Sequence, residues 1–207
     1  GGTVQQGGDQ YLGFIFPGVV ALSLLFTATF SAISIVFDRE VGFLKAVLVA
    51  PVSRRSIALG KVVSGAVIAL AQACLLLIAA PFAGVSFGLL NLAGFLVFML
   101  LSGIVFSALG VAVAANFSST EVFPVVLNAL LLPMFFISGA LFPLDSAPGW
   151  LQAVAYADPV AYGVDLLRGS VLGEFHFPIA LSLTVLFAAI LVLTWLAVIV
   201  FERGEAT

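Results

Sequence analysis

Few side chains in this sequence could do chemistry, and their spacing rules out most of it. His176 and Cys74 are the one histidine and the one cysteine. They stand in separate segments, so they supply no convergent nucleophile, base or metal-ligand set of the kind a membrane enzyme needs. No catalytic, cofactor-binding or metal-binding residue is therefore expected, and His176 reads as a polar interface residue. Gly60-Lys61 is followed by Val62, so the Gly-Lys-Ser/Thr end of a phosphate-cradling loop is missing. Any energy from ATP must come from another subunit. The charges that remain are concentrated. The stretch 38–61, DREVGFLKAVLVAPVSRRSIALGK, holds Arg39, Lys45, Arg54, Arg55 and Lys61, five of the seven basic residues. Basic residues beside apolar spans mark the cytoplasmic side, so this stretch orients the rest of the chain. It is also the one cytoplasmic element large enough to grip a partner.

The elements around it are membrane spans. Charged residues make up 8% of the chain, against roughly 25% in soluble domains, and the mean hydropathy is +1.29. Five apolar runs approach the ~20 residues that a bilayer crossing needs: about 12–37, 62–83, 92–115, 122–141 and 179–201. Counting outward from the basic stretch places the N-terminus outside and Arg203 inside. An outside N-terminus with no signal-like segment leads us to expect a further span before Gly1. A single cysteine allows no intrachain disulfide.

Within the first span, Ser23, Thr27, Ser31 and Ser34 recur on one helical face, continued by Asp38. Small hydroxyls permit close helix approach; the stripe is either plain packing or the wall of a translocation path. Phe37, Val41, Leu44 and Leu48 then fall at helical spacing, predicting an amphipathic helix of roughly three turns, ended by Pro51. It lies in the lipid interface or docks on a soluble partner; periodicity does not separate the two. Ser53 caps the next helix. Gly103, Ser107 and Gly110 give the third span a small-residue face. Ser119 or Thr120 caps the fourth, which carries Pro124, Asn128 and Pro133. Asn128 is an intramembrane amide, either helix–helix glue or a ligand contact.

Residues 142–177 are too long for a turn and too interrupted for a span. Ser146 with Pro148, and Asp158 with Pro159, each read as a cap followed by an early proline. They predict short helices at about 148–157 and 159–169, each ~15 Å long and unable to cross a ~30 Å core. Trp150, Tyr156 and Tyr162 suit an interface, and Asp165 and Arg168, three apart, are placed to pair.

Two motifs resemble those of type-two ABC exporter permeases. IVFDREVGFLKAVLVAPVSRRSIALGK is similar to that family's first cytoplasmic loop. FFISGALFPLDSAPGWLQAVAYADPVAYGVDLLRG is similar to its C-terminal signature, with Ser138-Gly139, Phe142-Pro143, Pro148, Trp150, Asp158-Pro159, Tyr162 and Arg168. The resemblance covers essentially the whole chain and is nearest to the drug, polysaccharide and lipo-oligosaccharide export branch. It implies an all-α integral membrane fold, residues 1–207 forming one permease domain with five spans. The full-length protein would have six, an N-terminal cytoplasmic helix and a first span preceding this chain. It also implies a cytoplasmic coupling helix and two short re-entrant outer helices.

The same resemblance implies the roles. Glu40, Gly42, Leu44, Lys45 and Leu48 would dock on a nucleotide-binding ATPase subunit, which would carry the ATP and Mg. Trp150, Pro159, Tyr162 and Arg168 would belong to the outer gate. From the residues themselves, Ser23, Thr27, Ser31 and Asn128 are the candidates for the pathway or the seam with a second permease copy. The expected protein is the membrane subunit of an ATP-driven exporter of an amphipathic drug, lipid-linked saccharide or similar cargo, in a bacterial inner membrane, with no nucleic-acid partner. The alternative is a sensor or scaffold on the same fold. An ion-coupled transporter is disfavoured, because no carboxylate or histidine lies deep in a span.

Overall fold

The computed structural model describes residues 2–42, 53–85 and 87–203. Helices α1 (Gly2–Phe30) and α2 (Ile33–Glu40) form the first span. α3 (Arg54–Leu76) continues as a 3-10 segment, Leu77–Ala83. Next come α4 (Leu89–Ala114) and α5 (Val122–Ile137). A 3-10 turn, Leu144–Ser146, leads to the short helices α6 (Gly149–Ala155) and α7 (Pro159–Leu172), and α8 (Ile179–Arg203) ends the described chain. Four helical segments are long and apolar enough to cross a bilayer: Leu12–Glu40, Arg54–Ala83, Leu89–Ala114 and Ile179–Glu202. The fifth expected span is the shorter Val122–Ile137. It is ~24 Å long at 1.5 Å per residue, and Ser138 to Leu141 leave the helix because Gly139 turns into the left-handed region at φ +75°.

α4 is the hub and packs on α1, α3, α7 and α8. Its small residues explain how. A side chain at Gly110 would strike the Thr29 backbone, and one at Gly103 would sit 3.6 Å from the Ala66 carbonyl. Ser107 faces Gly65 of α3, where a methyl group would meet the hydroxyls of Ser31 and Ser107. The predicted small-residue face is therefore a three-helix crossing whose backbones meet nearly in contact. Around it Phe95, Met99, Phe106, Leu24 and Leu25 are fully buried.

The first span is broken, where one continuous helix was expected. Thr29 Oγ1 donates to the Leu25 carbonyl, Ser31 Oγ to that of Ala28 at 2.7 Å, and Ser34 Oγ to that of Ser31 at 3.1 Å. Such back-bonding competes with the helical ladder. The backbone tightens to Ala32 N–H to Thr29 O, Ser34 N–H to Ser31 O and Ile35 N–H to Ala32 O, a short 3-10 step between α1 and α2.

The amphipathic-helix expectation needs a second correction. Phe37 belongs to α2, which ends at Glu40, and Gly42 takes φ +73°. A non-glycine residue is strained there, and the helix stops. Phe37 therefore sits in the last turn of the first span, and Val41 follows the end of that helix. Residues Leu44, Lys45 and Leu48 lie outside the described residues.

Candidate coupling seam and outer cap

Two clusters of charged side chains hold the two ends of the bundle, and they do so differently. At the basic end, consecutive residues of α2 reach in two directions. Arg39 Nη1 donates to the carbonyls of Ala115 (2.8 Å) and Phe117 (3.3 Å), the C-terminal end of α4, where unsatisfied carbonyls and the helix dipole favour a cation. Glu40 Oε2 accepts from the Thr120 N–H at 3.0 Å, just ahead of α5, where an acid is favoured for the converse reason. The α4–α5 loop is thus stapled at both sides to the last turn of the first span. Ser119 Oγ also accepts from Val122 N–H at 3.4 Å. The predicted local cap is therefore the weaker contact, and Glu40, from another element, makes the shorter one.

The hydroxyl stripe of the first span faces α3. Thr27 Oγ1 donates to Gln72 Oε1 at 2.8 Å, and Gln72 Nε2 donates to Ser23 Oγ at 3.2 Å. One turn past the break, Lys61 Nζ donates to Ser34 Oγ (2.9 Å) and to Asp38 Oδ2 (3.0 Å). Ser23, Thr27 and Gln72 line an open groove of about 470 Å³ with Val19, Leu22, Phe26 and Leu76. Ser31 is turned away, against Gly65. Asn128 lies on α5 and is not part of this groove; no described residue hydrogen-bonds its amide. Its helix buries Phe123, Leu127, Leu131 and Phe135 and exposes Val125, Leu132 and Phe136.

The acidic end is a cap built from α6, α7 and the strap to α8. Asp158 caps α7, its Oδ1 accepting from Val160 N–H at 2.9 Å, with Pro159 in the first turn as predicted. Its other oxygen is buried without a partner, and burial pushes its carboxyl up to about 7. Ser146 does not cap α6: its hydroxyl donates back to the Pro143 carbonyl, and Pro148 takes the cap position.

Asp165 and Arg168 do not form a direct ion pair, contrary to the sequence expectation. Each satisfies backbone instead. Asp165, 5% exposed, accepts from the N–H groups of His176 (2.8 Å) and Phe177 (3.1 Å). Arg168 Nη2 donates to the carbonyls of Gly139 (3.0 Å) and Ala140 (2.9 Å), and its guanidinium lies 3.9 Å from the centre of the Phe14 ring. Burial holds Asp165 above the ordinary carboxylate range, with the two N–H bonds opposing it, and lowers Arg168 to about 10. Two residues one turn apart thus bolt α7 to the end of α5 and to the strap before α8. Tyr162 is likewise not an interface residue. It is 2% exposed, donates to the Tyr156 carbonyl at 2.9 Å and packs 4.6 Å from Phe177. Trp150 is 68% exposed. His176 Nδ1 lies 2.9 Å from Asp145 Oδ1.

Sequence reasoning missed Arg39, Thr120, Gln72 and Lys61 as contact residues. Arg39 and Lys61 carried a signal, a charge beside a span, but their partners lie 23 to 78 positions away. Among the described residues no group of three His, Cys, Asp or Glu could hold a metal.

The sequence model of the ABC-2 type transporter family matches residues 2–172, from the first span through α7. Nodulation protein J of Rhizobium leguminosarum bv. viciae is 31% identical over 169 residues, 81% of this chain and 65% of its own length. The transport permease ycf38 of Cyanophora paradoxa is 32% identical over 164 residues, 77% of this chain and 56% of its own length. The multidrug ABC transporter permease YbhR of Escherichia coli K12 is 25% identical over 166 residues, 77% and 44%. The chain thus spans between about half and two-thirds of the length of these relatives. With three of the four long apolar spans, the basic seam and the cap helices in the matched region, the chain belongs to the ABC-2 type transporter family.

Proposed function

We propose that this chain is the coupled half of an ATP-driven exporter, with a separate ATPase subunit docking on the stretch that follows Gly42. The observation that carries the proposal is the double staple of Arg39 and Glu40. Any partner that grips Leu44, Lys45 and Leu48 pulls on the last turn of α2. That turn holds the C-terminus of α4 through Arg39 and the start of α5 through Glu40. Closure of the ATPase then reaches α4 and α5 as rigid-body movement, while Lys61 keeps α2 and α3 together through Asp38 and Ser34.

α5 is the element suited to move. It is short, carries Pro133 inside, and turns Val125, Leu132 and Phe136 outward. A second copy of the chain packing on this face would bring two Asn128 residues to the seam. The Ser23–Thr27–Gln72 groove, apolar with a few hydroxyl and amide groups, suits an amphipathic cargo better than an ion. The relative named for multidrug transport favours the same class. Trp150, Pro159, Tyr162 and Arg168 then belong to the cap that closes the outer end. ATP and Mg reside on the partner, and the setting is a bacterial inner membrane.

The test is affinity purification of the tagged full-length protein from its source cell in mild detergent, followed by transport in vesicles. An ATP-binding subunit is expected at one-to-one stoichiometry. Leu44→Asp is expected to lose it; Glu40→Ala is expected to keep it and lose transport. A protein that purifies with no ATP-binding subunit overturns the reading and favours a sensor or scaffold.

A further inference from the structure

We propose that the groove between the start of α3 and the C-terminal half of α8 binds an acidic phospholipid of the cytoplasmic leaflet. The groove, about 420 Å³, is lined by Ile190, Leu191, Trp195, Val198 and Ile199, with Arg55 and Glu202 at its head. From Ile190 to Glu202 it runs ~18 Å along the helix, close to the ~15 Å depth of one leaflet. It is an open apolar face of α8, one acyl chain long, bounded at its charged end by Arg55 of α3, on the least covered of the long spans: 11% of the α8 window is buried.

Its head carries the recognition chemistry. Two guanidiniums converge on the last turn of α8. Arg54 Nη1 donates to the Glu202 carbonyl at 3.2 Å, and Arg55 Nε donates to Glu202 Oε1 at 2.8 Å. The Arg55 side chain remains 72% exposed, so the Nη edge of its fork stays accessible at the groove mouth. A planar fork with two parallel donors matches a phosphate diester. Trp195, 63% exposed, lies two turns below, where an indole packs on an acyl chain near the headgroups. Six of the seven basic residues of the sequence, all but Arg168, lie in the segments assigned to this side, and an acidic leaflet surface attracts such a cluster. Glu202 disfavours a second anion in the groove, and its pairing with Arg55 sets the fork at the mouth. The accessible edge of the Arg55 fork takes a single headgroup phosphate. The inference rests on the cytoplasmic placement of the basic stretch and not on the ATPase partner.

Trp150→Phe leaves Trp195 as the one indole of this sequence. The full-length protein carrying that change is reconstituted in vesicles with brominated phosphatidylglycerol or brominated phosphatidylcholine, and Trp195 fluorescence is followed. Quenching is expected to favour phosphatidylglycerol by roughly fivefold, to weaken in high salt and to fall to parity with Arg55→Gln. Arg55→Lys, which keeps the charge without the fork, is expected to retain part of the preference, which separates loss of charge from damage to the helix end. Equal quenching by both lipids overturns the proposal. So does equal loss of the preference in the Lys and Gln variants. Absence of quenching by either lipid also overturns it, because the groove is then covered by protein, whether a second copy or another segment.

Discussion

The basic seam and the acidic cap use the same device under opposite conditions. In both, charged side chains satisfy backbone groups of a neighbouring helix end. The two arginines, Arg39 and Arg168, are both half-buried, and the difference lies in the acids: Asp165 of the cap is 5% exposed, whereas Glu40 of the seam is exposed. A buried charge-assisted bond is hard to replace, because water is not there to take its place. An exposed one exchanges with water at little cost. The cap is therefore a rigid bolt, and the seam is a joint that can be made and broken.

The largest effect is expected at the bolt. Asp165→Ala orphans the N–H groups of His176 and Phe177, each bonded to a charged acceptor, and should destabilise the protein by about 3 kcal/mol or more. Thermal unfolding in detergent would show it; an unchanged midpoint would mean that the cap does not hold the fold. Next is the pH dependence of Asp158. Its carboxyl ordinarily titrates near 3.8 and is pushed up to about 7 by burial, so the native state binds the extra proton between those values. Stability should be greatest below pH 4 and fall as the pH rises to 7, by about 2 kcal/mol between pH 5 and pH 8. Asp158→Asn should keep the cap of α7 and flatten that slope; a slope that survives the substitution would assign it to another group.

Smaller effects follow at the packing and at the joint. Gly110→Val should cost about 1–3 kcal/mol through overpacking against Thr29. Tyr162→Phe, which leaves the Tyr156 carbonyl without its donor, should cost about 1 kcal/mol. Glu40→Ala should leave the unfolding midpoint where it is and change transport alone. If it lowered the midpoint as Asp165→Ala does, the contrast between bolt and joint would collapse.

Much of the fold was legible in the sequence, for identifiable reasons. Spans report themselves through composition, because lipid tolerates few charges over ~20 residues. The Asp158-Pro159 cap was legible because capping is local chemistry. The small face of α4 was legible because close approach demands small residues. Reading failed where one local signal competed with another. Phe37 and Val41 keep a helical period, but α2 ends at Glu40 and Gly42 takes φ +73°. Asp165 and Arg168 are spaced to pair on a helix, yet both found unsatisfied backbone groups at the ends of neighbouring elements.

By itself the sequence determined the membrane setting, the orienting basic stretch, the helix inventory and the motifs that mark the family. These depend on composition and on residues within a turn or two of each other. Only the tertiary structure decided what the charges hold. Arg39 meets Ala115, Glu40 meets Thr120, Thr27 meets Gln72 and Arg55 meets Glu202, across 45 to 147 residues. Two of those four partners are backbone groups, which every residue carries and no sequence pattern distinguishes. Their selection belongs to the packing of the helices, where Gly65 and Gly110 let α1, α3 and α4 cross closely enough to bring those ends together.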